Sequence, residues 1–530
     1  MNLRKICLIL TLGLATAVMA QVPKEGKIYF INNLVEPGHM IKDTGRLTFG
    51  MPGPTTLWRF IPTENDNCFY VQNVGTGRYM QSSKGVGQAV MTGEQPVEYI
   101  VLLDESRGPT KGCWGLASTD QEDLTFKTVN TIGLNDNVDG YVAGYSARQT
   151  INTRSFWKLE EVAEDLPEED LQGRGTTYNN PVIKSGAPDP TVIRGEDGYY
   201  YLYATENPVR NVPIYRSNNL VNWELIGTVF NNSNRPNFVS GANIWAPSIN
   251  YSDGKYYLYY SMSRWGGEWE CGIGVATADH PAGPFTNHGK MFVSNEYNTQ
   301  NSIDPCFFEE DGKKYLFWGS FRGIWAVELT DDGLKIKPET IRRVAGTLTE
   351  GTCIVKHDGY YYMIGSAGTC CEGQNSTYHL MVARSESLLG PYVNKEGGKA
   401  LDNNFSHLLY RSDNVIGPGH NAELVQDDAG DWWMLYHGFI PGQEDLGRVV
   451  YLDRVHWTES GWPYVRGLQP SVKALRPVIG PNQGSGVEEV ESSDMSEADA
   501  DTFNLQGVKV GPDYNGIVIK NGKKTLRFFE

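Results

Sequence analysis

Between residues 181 and 479 one pattern recurs: a short apolar run, a polar turn, then a run rich in aromatics. Asp197-Gly-Tyr-Tyr-Tyr-Leu-Tyr returns as Asp253-Gly-Lys-Tyr-Tyr-Leu-Tyr, Asp311-Gly-Lys-Lys-Tyr-Leu-Phe and Asp358-Gly-Tyr-Tyr-Tyr-Met-Ile. A looser copy is Asp428-Ala-Gly-Asp-Trp-Trp-Met-Leu-Tyr. The intervals are 56, 58, 47 and 70 residues. Asp-Gly before a β-branched or aromatic run is a strong hairpin signal, because glycine adopts positive φ in a tight turn. Apolar strands precede the turns at Thr191-Val192-Ile193, Ser248-Ile249, Cys306-Phe307-Phe308, Cys353-Ile354-Val355 and Glu423-Leu424-Val425. Each unit has room for two more strands, and five such units predict an all-β fold, a five-bladed β-propeller. A β-sandwich with accidental turn similarity is the alternative.

The repeat also gathers polar residues. Eight positions before the turn aspartates stand Asp189, Trp245, Glu350 and His420, and Asp304 is seven before Asp311 in an Asp-Pro context like that of Asp189-Pro190. Blade symmetry places these on one ring around the axis. An Asp before Pro is commonly only a turn residue. Three carboxylates at matched positions are more specific, because like charges held together cost stability. Such a set suits glycoside hydrolysis: one carboxylic acid protonates the leaving oxygen, one carboxylate acts on water, and a third raises the acid's pKa and orients it.

Composition narrows the partners. The chain has 530 residues, 40% hydrophobic and 21% charged, enough for a large core and against general disorder. The 59 Gly, 27 Pro and 12% aromatics fit many short strands and tight turns. A net charge of −17 makes nucleic acid or an anionic membrane a poor partner and favours a neutral substrate. Arg4 and Lys5, the apolar Ile6–Ala17 and the small Ala20 form a signal peptide over 1–20, so a secreted, periplasmic or cell-surface location is expected. No later run is long enough to span a membrane. Seven cysteines then remain; Cys68 and Cys113 could pair, whereas the adjacent Cys370 and Cys371 cannot form an ordinary loop-closing bridge.

The motifs Ala187-Pro188-Asp189-Pro190, Asn243-Ile244-Trp245-Ala246-Pro247, Ser302-Ile303-Asp304-Pro305, Glu350-Gly351 and Gly417-Pro418-Gly419-His420-Asn421 resemble those of glycoside hydrolase family 43. The resemblance implies a five-bladed propeller and an inverting enzyme acting on pentosides. It assigns Asp189 as general base, Glu350 as general acid and Asp304 as the group that tunes and orients the acid. His420 would help hold an axial cation, often calcium, through waters; no organic cofactor is implied. Trp245 would be a wall for stacking sugar, with Ser320 and Phe321 also at the substrate. The stretches Trp318–Trp325 and Cys370–Tyr378 are most similar to endo-α-1,5-L-arabinanases. Pro188 stands where those enzymes usually carry His, and Thr352 where they carry Pro. Arg448 reads equally as propeller closure or as a substrate contact.

Residues 22–163 resemble a ricin-type β-trefoil through Phe30-Ile31-Asn32-Asn33, Trp58-Arg59-Phe60, Phe69–Asn73 with Gly77–Met80, and Phe156–Leu159. That likeness implies glycan binding; a packing domain is the alternative. Residues 164–180 and the acidic 480–501 read as linkers. The tail, 502–530, resembles a shortened type IX secretion sorting domain. The leading expectation is a monomeric, exported enzyme that cuts plant cell-wall α-1,5-L-arabinan. Its rivals are an exo-acting α-L-arabinofuranosidase or β-xylosidase on the same scaffold, and a non-catalytic glycan-binding protein.

Overall fold

The computed structural model describes residues 23–33, 40–50, 54–85, 87–104, 111–120, 134–136, 140–144, 155–164, 176–480, 502–504, 516–520 and 523–527. The expected signal peptide lies outside them. The chain divides into two compact units, 1–481 and 482–530. In the second, Thr502–Asn504, Gly516–Lys520 and Lys523–Arg527 form a three-stranded antiparallel sheet.

Five antiparallel sheets follow one another from residue 191 to 465, as the repeat predicts. Blade 1 comprises Thr191–Arg194, Tyr200–Tyr203, Asn211–Ser217 and Glu224–Phe230. Blade 2 comprises Asn243–Ser252, Lys255–Ser263, Gly272–Ala278 and Thr286–Val293. Blade 3 comprises Cys306–Glu310, Lys313–Trp318, Ile324–Glu328 and Arg342–Ala345. Blade 4 comprises Glu350–His357, Tyr360–Ala367, His379–Ser385 and Ser406–Leu409. Blade 5 comprises Ile416–Gly419, Trp432–Phe439, Val449–Trp457 and Pro463–Val465, with the short Val425–Gln426 beside its second strand.

The Asp-Gly turns have the geometry their sequence requires. In blades 2, 3 and 4 both turn residues have positive φ: Asp253 49° and Gly254 76°, Asp311 50° and Gly312 72°, Asp358 45° and Gly359 81°. These are two-residue hairpins, with Ser252 opposite Lys255, Glu310 opposite Lys313 and His357 opposite Tyr360. Positive φ at both positions suits the twist of the flanking strands. The aromatic runs fill the spaces between blades. Tyr203 and Tyr259 hold the same place in the repeat and are fully buried; their hydroxyls donate to the carbonyls of Pro281 and Gly333. Each apolar ring thus packs while its polar end is satisfied.

The strand Thr177–Asn179, which sequence places in a linker, belongs to the propeller: it pairs with Lys473–Leu475. Asn180 donates to Leu452 O (2.8 Å) and Ser471 O (2.9 Å), tying the start of the propeller to its end. These partners lie nearly 300 residues away, so no local signal separates closure from linker.

The N-terminal domain is built mostly of strands in a ten-stranded sheet. Its first strand, Lys27–Asn33, pairs along its length with Trp157–Glu164. Trp58 and Trp157 are fully buried in its core. A second apolar cluster joins it to the propeller: Ile28, Phe30, Met40 and Leu57 pack with Tyr410, Tyr464 and Leu468. The Glu160 carboxylate meets His407 Nε2 at 3.0 Å across this contact. Cys68 and Cys113 are free thiols, as are all seven described cysteines. Cys68 lies opposite Ile100, while Cys113 bonds Asp104, four residues further along the strand. That offset is roughly 13 Å at strand rise, beyond the Cα separation a disulfide bridges.

Candidate active site

One residue at the mouth of each blade has left-handed backbone: Asp189 (φ 55°), Ala246 (42°), Asp304 (58°), Gly351 (58°) and His420 (48°). This turns each backbone N–H toward the preceding blade. Ala246 N donates to Thr205 Oγ1 (2.8 Å), Asp304 N to Ser261 Oγ (2.9 Å) and His420 N to Ser366 Oγ (2.8 Å). Asp189 N donates to His437 Nδ1 (3.0 Å). Thr205, Ser261 and Ser366 each stand eight residues after their turn aspartate, and His437 nine after Asp428. The matching place in blade 3 is Gly319, whose φ is 129° and where an added Cβ would sit 2.1 Å from Gly323 O. With no side chain there, Gly351 N donates instead to the carboxylate of Asp304 (Oδ2, 3.1 Å). Asp304 therefore completes the ring of inter-blade bonds and anchors the residue beside Glu350.

This ring corrects the register read from sequence. Trp245 and Glu350 stand one residue before the left-handed positions, which are Ala246 and Gly351. The cause is turn length. Blades 1 and 5 turn through five residues, with Arg194 opposite Tyr200 and Gln426 opposite Trp432, whereas blades 2, 3 and 4 use two. Counting back from the turn aspartate therefore slips by one. Gly351 is required where it is: beyond its positive φ, an added Cβ would approach the His420 ring to 3.1 Å.

Asp189, Asp304, Glu350, Trp245, Ser320, Phe321 and His420 nevertheless all line one cavity of about 530 Å³. That volume lies in the usual range for a small-ligand site. Cys370, Cys371 and Glu372 also line it.

The carboxylates sit in unlike surroundings. Asp189 is buried, which by itself would raise its pKa. Arg448 Nη1 donates to Asp189 Oδ1 at 2.6 Å, Thr205 Oγ1 donates to Oδ2 at 2.6 Å, and His420 and His437 lie beyond at 3.4 and 3.3 Å. The balance, led by Arg448, holds Asp189 well below the ordinary carboxylate range. His437 contributes as a neutral ring: its Nδ1 accepts the Asp189 N–H, and burial followed by the Arg448 charge pushes its pKa down to about 3. Burial likewise lowers His420.

Glu350 is pushed up, first by burial and then by the Asp189 charge, against the donated bonds of Ser320 Oγ (2.5 Å) and Tyr378 OH (2.7 Å). Asp304 is also pushed up, by burial, then by Glu350 and Asp189. Two neighbouring buried carboxyls that cannot both ionise, beside a third that stays charged, give a site with one proton to deliver and one base ready to accept.

Ser320, expected at the sugar, is 2% exposed and bonded to Glu350. Its hydroxyl holds the carboxyl in place, and so does Tyr378, whose ring stacks on His437 with centroids 5.6 Å apart. Sequence reasoning missed Tyr378, Thr205 and His437 as site residues and left Arg448 undecided. The eight-residue spacing after the turn aspartate was the available signal for Thr205; His437, nine after Asp428, falls one residue beyond it.

Among the described residues no three His, Cys, Asp or Glu side chains converge to hold an ion. A space of about 20 Å³ lined in part by Asp304, His420, Asn421 and Glu423 has room for one water or small ion.

The sequence profile of glycosyl hydrolases family 43 matches residues 178–463. The extracellular endo-alpha-(1->5)-L-arabinanase 1 of Bacillus subtilis (strain 168) is 32% identical over 291 residues, covering 52% of this chain and 86% of that protein. The arabinan endo-1,5-alpha-L-arabinosidase A of Aspergillus aculeatus is 30% identical over 318 residues, covering 56% and 96%. The non-reducing end alpha-L-arabinofuranosidase BoGH43B of Bacteroides ovatus is 30% identical over 300 residues, covering 54% and 53%. The match runs through the five blades as far as the first residue of the last strand and takes in every residue of the inter-blade ring, and the chain belongs to glycosyl hydrolases family 43.

Proposed function

We propose that this enzyme hydrolyses α-1,5-L-arabinan of plant cell walls internally, with inversion of the anomeric centre. The observation that carries the reading is the unlike treatment of carboxylates in one cavity: Arg448 keeps Asp189 ionised, while burial and Asp189 favour a proton on Glu350. Asp189 takes a proton from water as its oxygen attacks the anomeric carbon. Glu350 gives its proton to the glycosidic oxygen as the C–O bond breaks. Asp304, through the bond it accepts from Gly351 N, fixes the position of Glu350. Inverting enzymes need room for water between the reacting carboxyl groups, typically about 6.5–9.5 Å.

Two of the three relatives above carry endo-arabinanase names, which supports internal cleavage; the arabinofuranosidase name supports the exo alternative. Debranched linear arabinan separates them. The account expects a ladder of short oligosaccharides early in the digest. Arabinose alone would establish exo action, and no product from arabinan or xylosides would sink the enzymatic reading.

Calcium, when bound, would be held by His420 through waters and would supply positive potential near the carboxylates. No step depends on it. Excess EDTA should therefore lower kcat by less than about threefold, the effect of a distant, screened charge. Complete and reversible loss would contradict this role.

The flanks extend the proposal. The N-terminal domain is a trefoil that tethers the enzyme to glycan, raising local substrate concentration; loss of retention on insoluble arabinan after its removal is the check. The enzyme works as an exported monomer, and the residues from 502 onward address it as a sorting signal. An unchanged location after their deletion would refute that role.

A further inference from the structure

Trp265 is 80% exposed, although it lines the catalytic cavity. Its ring is tilted at 55° to that of Trp245, with centroids 5.8 Å apart. The two indoles form a continuous apolar strip that begins beside the ring residue Ala246 and runs outward. The loop between Ser263 and Gly272 is held from the neighbouring blade. Arg322 grips Glu268 with two bonds, both 2.9 Å. Gln300 Nε2 donates to the same carboxylate at 2.6 Å, and Asn301 N donates to Glu268 O at 2.7 Å. Within the loop, Cys271 N and Glu270 N both donate to Gly267 O at 2.9 Å. Bidentate, charge-assisted bonds of this kind fix geometry as well as position.

We propose that Trp265 is a stacking platform for a sugar residue of the polysaccharide lying outside the unit whose bond is cleaved. The inference rests on the glycosidase reading above and deepens it. The occupant it fits is a neutral furanose or pyranose ring, whose C–H face covers an indole without bringing charge. The strip is continuous with the cavity that holds the carboxylates, and the loop that carries the exposed ring is held in place before any ligand arrives, so binding does not have to order the loop.

Trp265→Ala tests this, with Trp265→Phe as the variant that keeps a ring. Steady-state rates are compared on linear arabinan, on arabinoxylan and on the shortest oligosaccharide that the wild type cleaves. Trp265→Ala should lower kcat/KM on the preferred polymer about tenfold, mostly through KM, the scale of losing one well-placed aromatic contact. The loss on the shortest substrate should be at least about fivefold smaller, since that substrate does not reach the platform. Trp265→Phe should fall between the two. Equal losses on long and short substrates, or none on the polymer, would overturn the platform while leaving the enzyme's reaction intact. A wild type inert on both polymers would instead remove the glycosidase reading, and the platform with it.

Discussion

Glu350→Gln should lower kcat on arabinan by about 10³–10⁴, the contribution expected of a positioned proton donor. The substitution keeps the shape of the side chain; its one oxygen replaces one of the two that accept from Ser320 (Oε2) and Tyr378 (Oε1), and the other hydroxyl turns to accept from the amide. What it removes is the proton. Substrate choice makes that specific. With a dinitrophenyl arabinoside, whose leaving group departs without protonation, the loss should shrink to less than about tenfold, because acid catalysis no longer limits the rate. Thermal stability should stay level or rise, because a buried carboxyl crowded by Asp189 has been replaced by a neutral amide. A similar loss on both substrates would mean that Glu350 acts by binding or charge rather than as the acid.

Arg448→Met should be the most damaging change away from the carboxylates themselves. It leaves Asp189 buried with Thr205, His420 and His437 as its remaining partners. Removing one partner of a buried pair costs about 3–5 kcal/mol because the other charge is left uncompensated. The pH dependence follows from the sign of the shift. In the wild type Asp189 has a folded pKa below its unfolded value, so its pairing stabilises the protein above the unfolded pKa, and that stability is lost as pH falls through the folded value. In the variant burial raises the folded pKa, so the deficit in Tm should be largest at neutral pH and shrink below about pH 4. The acid limb of the kcat/KM profile should move up by at least about one pH unit, because the base now protonates more readily. Unchanged limbs with an unchanged Tm would return Arg448 to a propeller-closure role.

Turn chemistry is local, and that is why the propeller was legible. Asp253-Gly254, Asp311-Gly312 and Asp358-Gly359 state their own backbone conformation, and four of the five apolar runs before the turns lie within first strands. The carboxylates were legible for a related reason: each recurs at a near-constant distance from its turn. That distance also misled, because turn length varies by blade, and it placed Trp245 and Glu350 where Ala246 and Gly351 belong. Contacts between blades were not legible. Nothing near Gly319 announces that its missing side chain passes a structural duty to Asp304, or that His437 serves Asp189 from 248 residues away. Arg448 was ambiguous for the same reason, since its meaning depends on a partner at the other end of the propeller. Thr177–Asn179 read as linker because its strand partner lies beyond the last blade.

The most direct test of the central claim is the anomeric configuration of the first product, followed by proton NMR during hydrolysis of linear arabinan by the wild type. Asp189 acting as a base on water predicts β-configured reducing ends at the earliest times, relaxing to the equilibrium mixture by mutarotation. Reducing ends that appear first in the α configuration would contradict the account, because Asp189 would then have to act as a nucleophile.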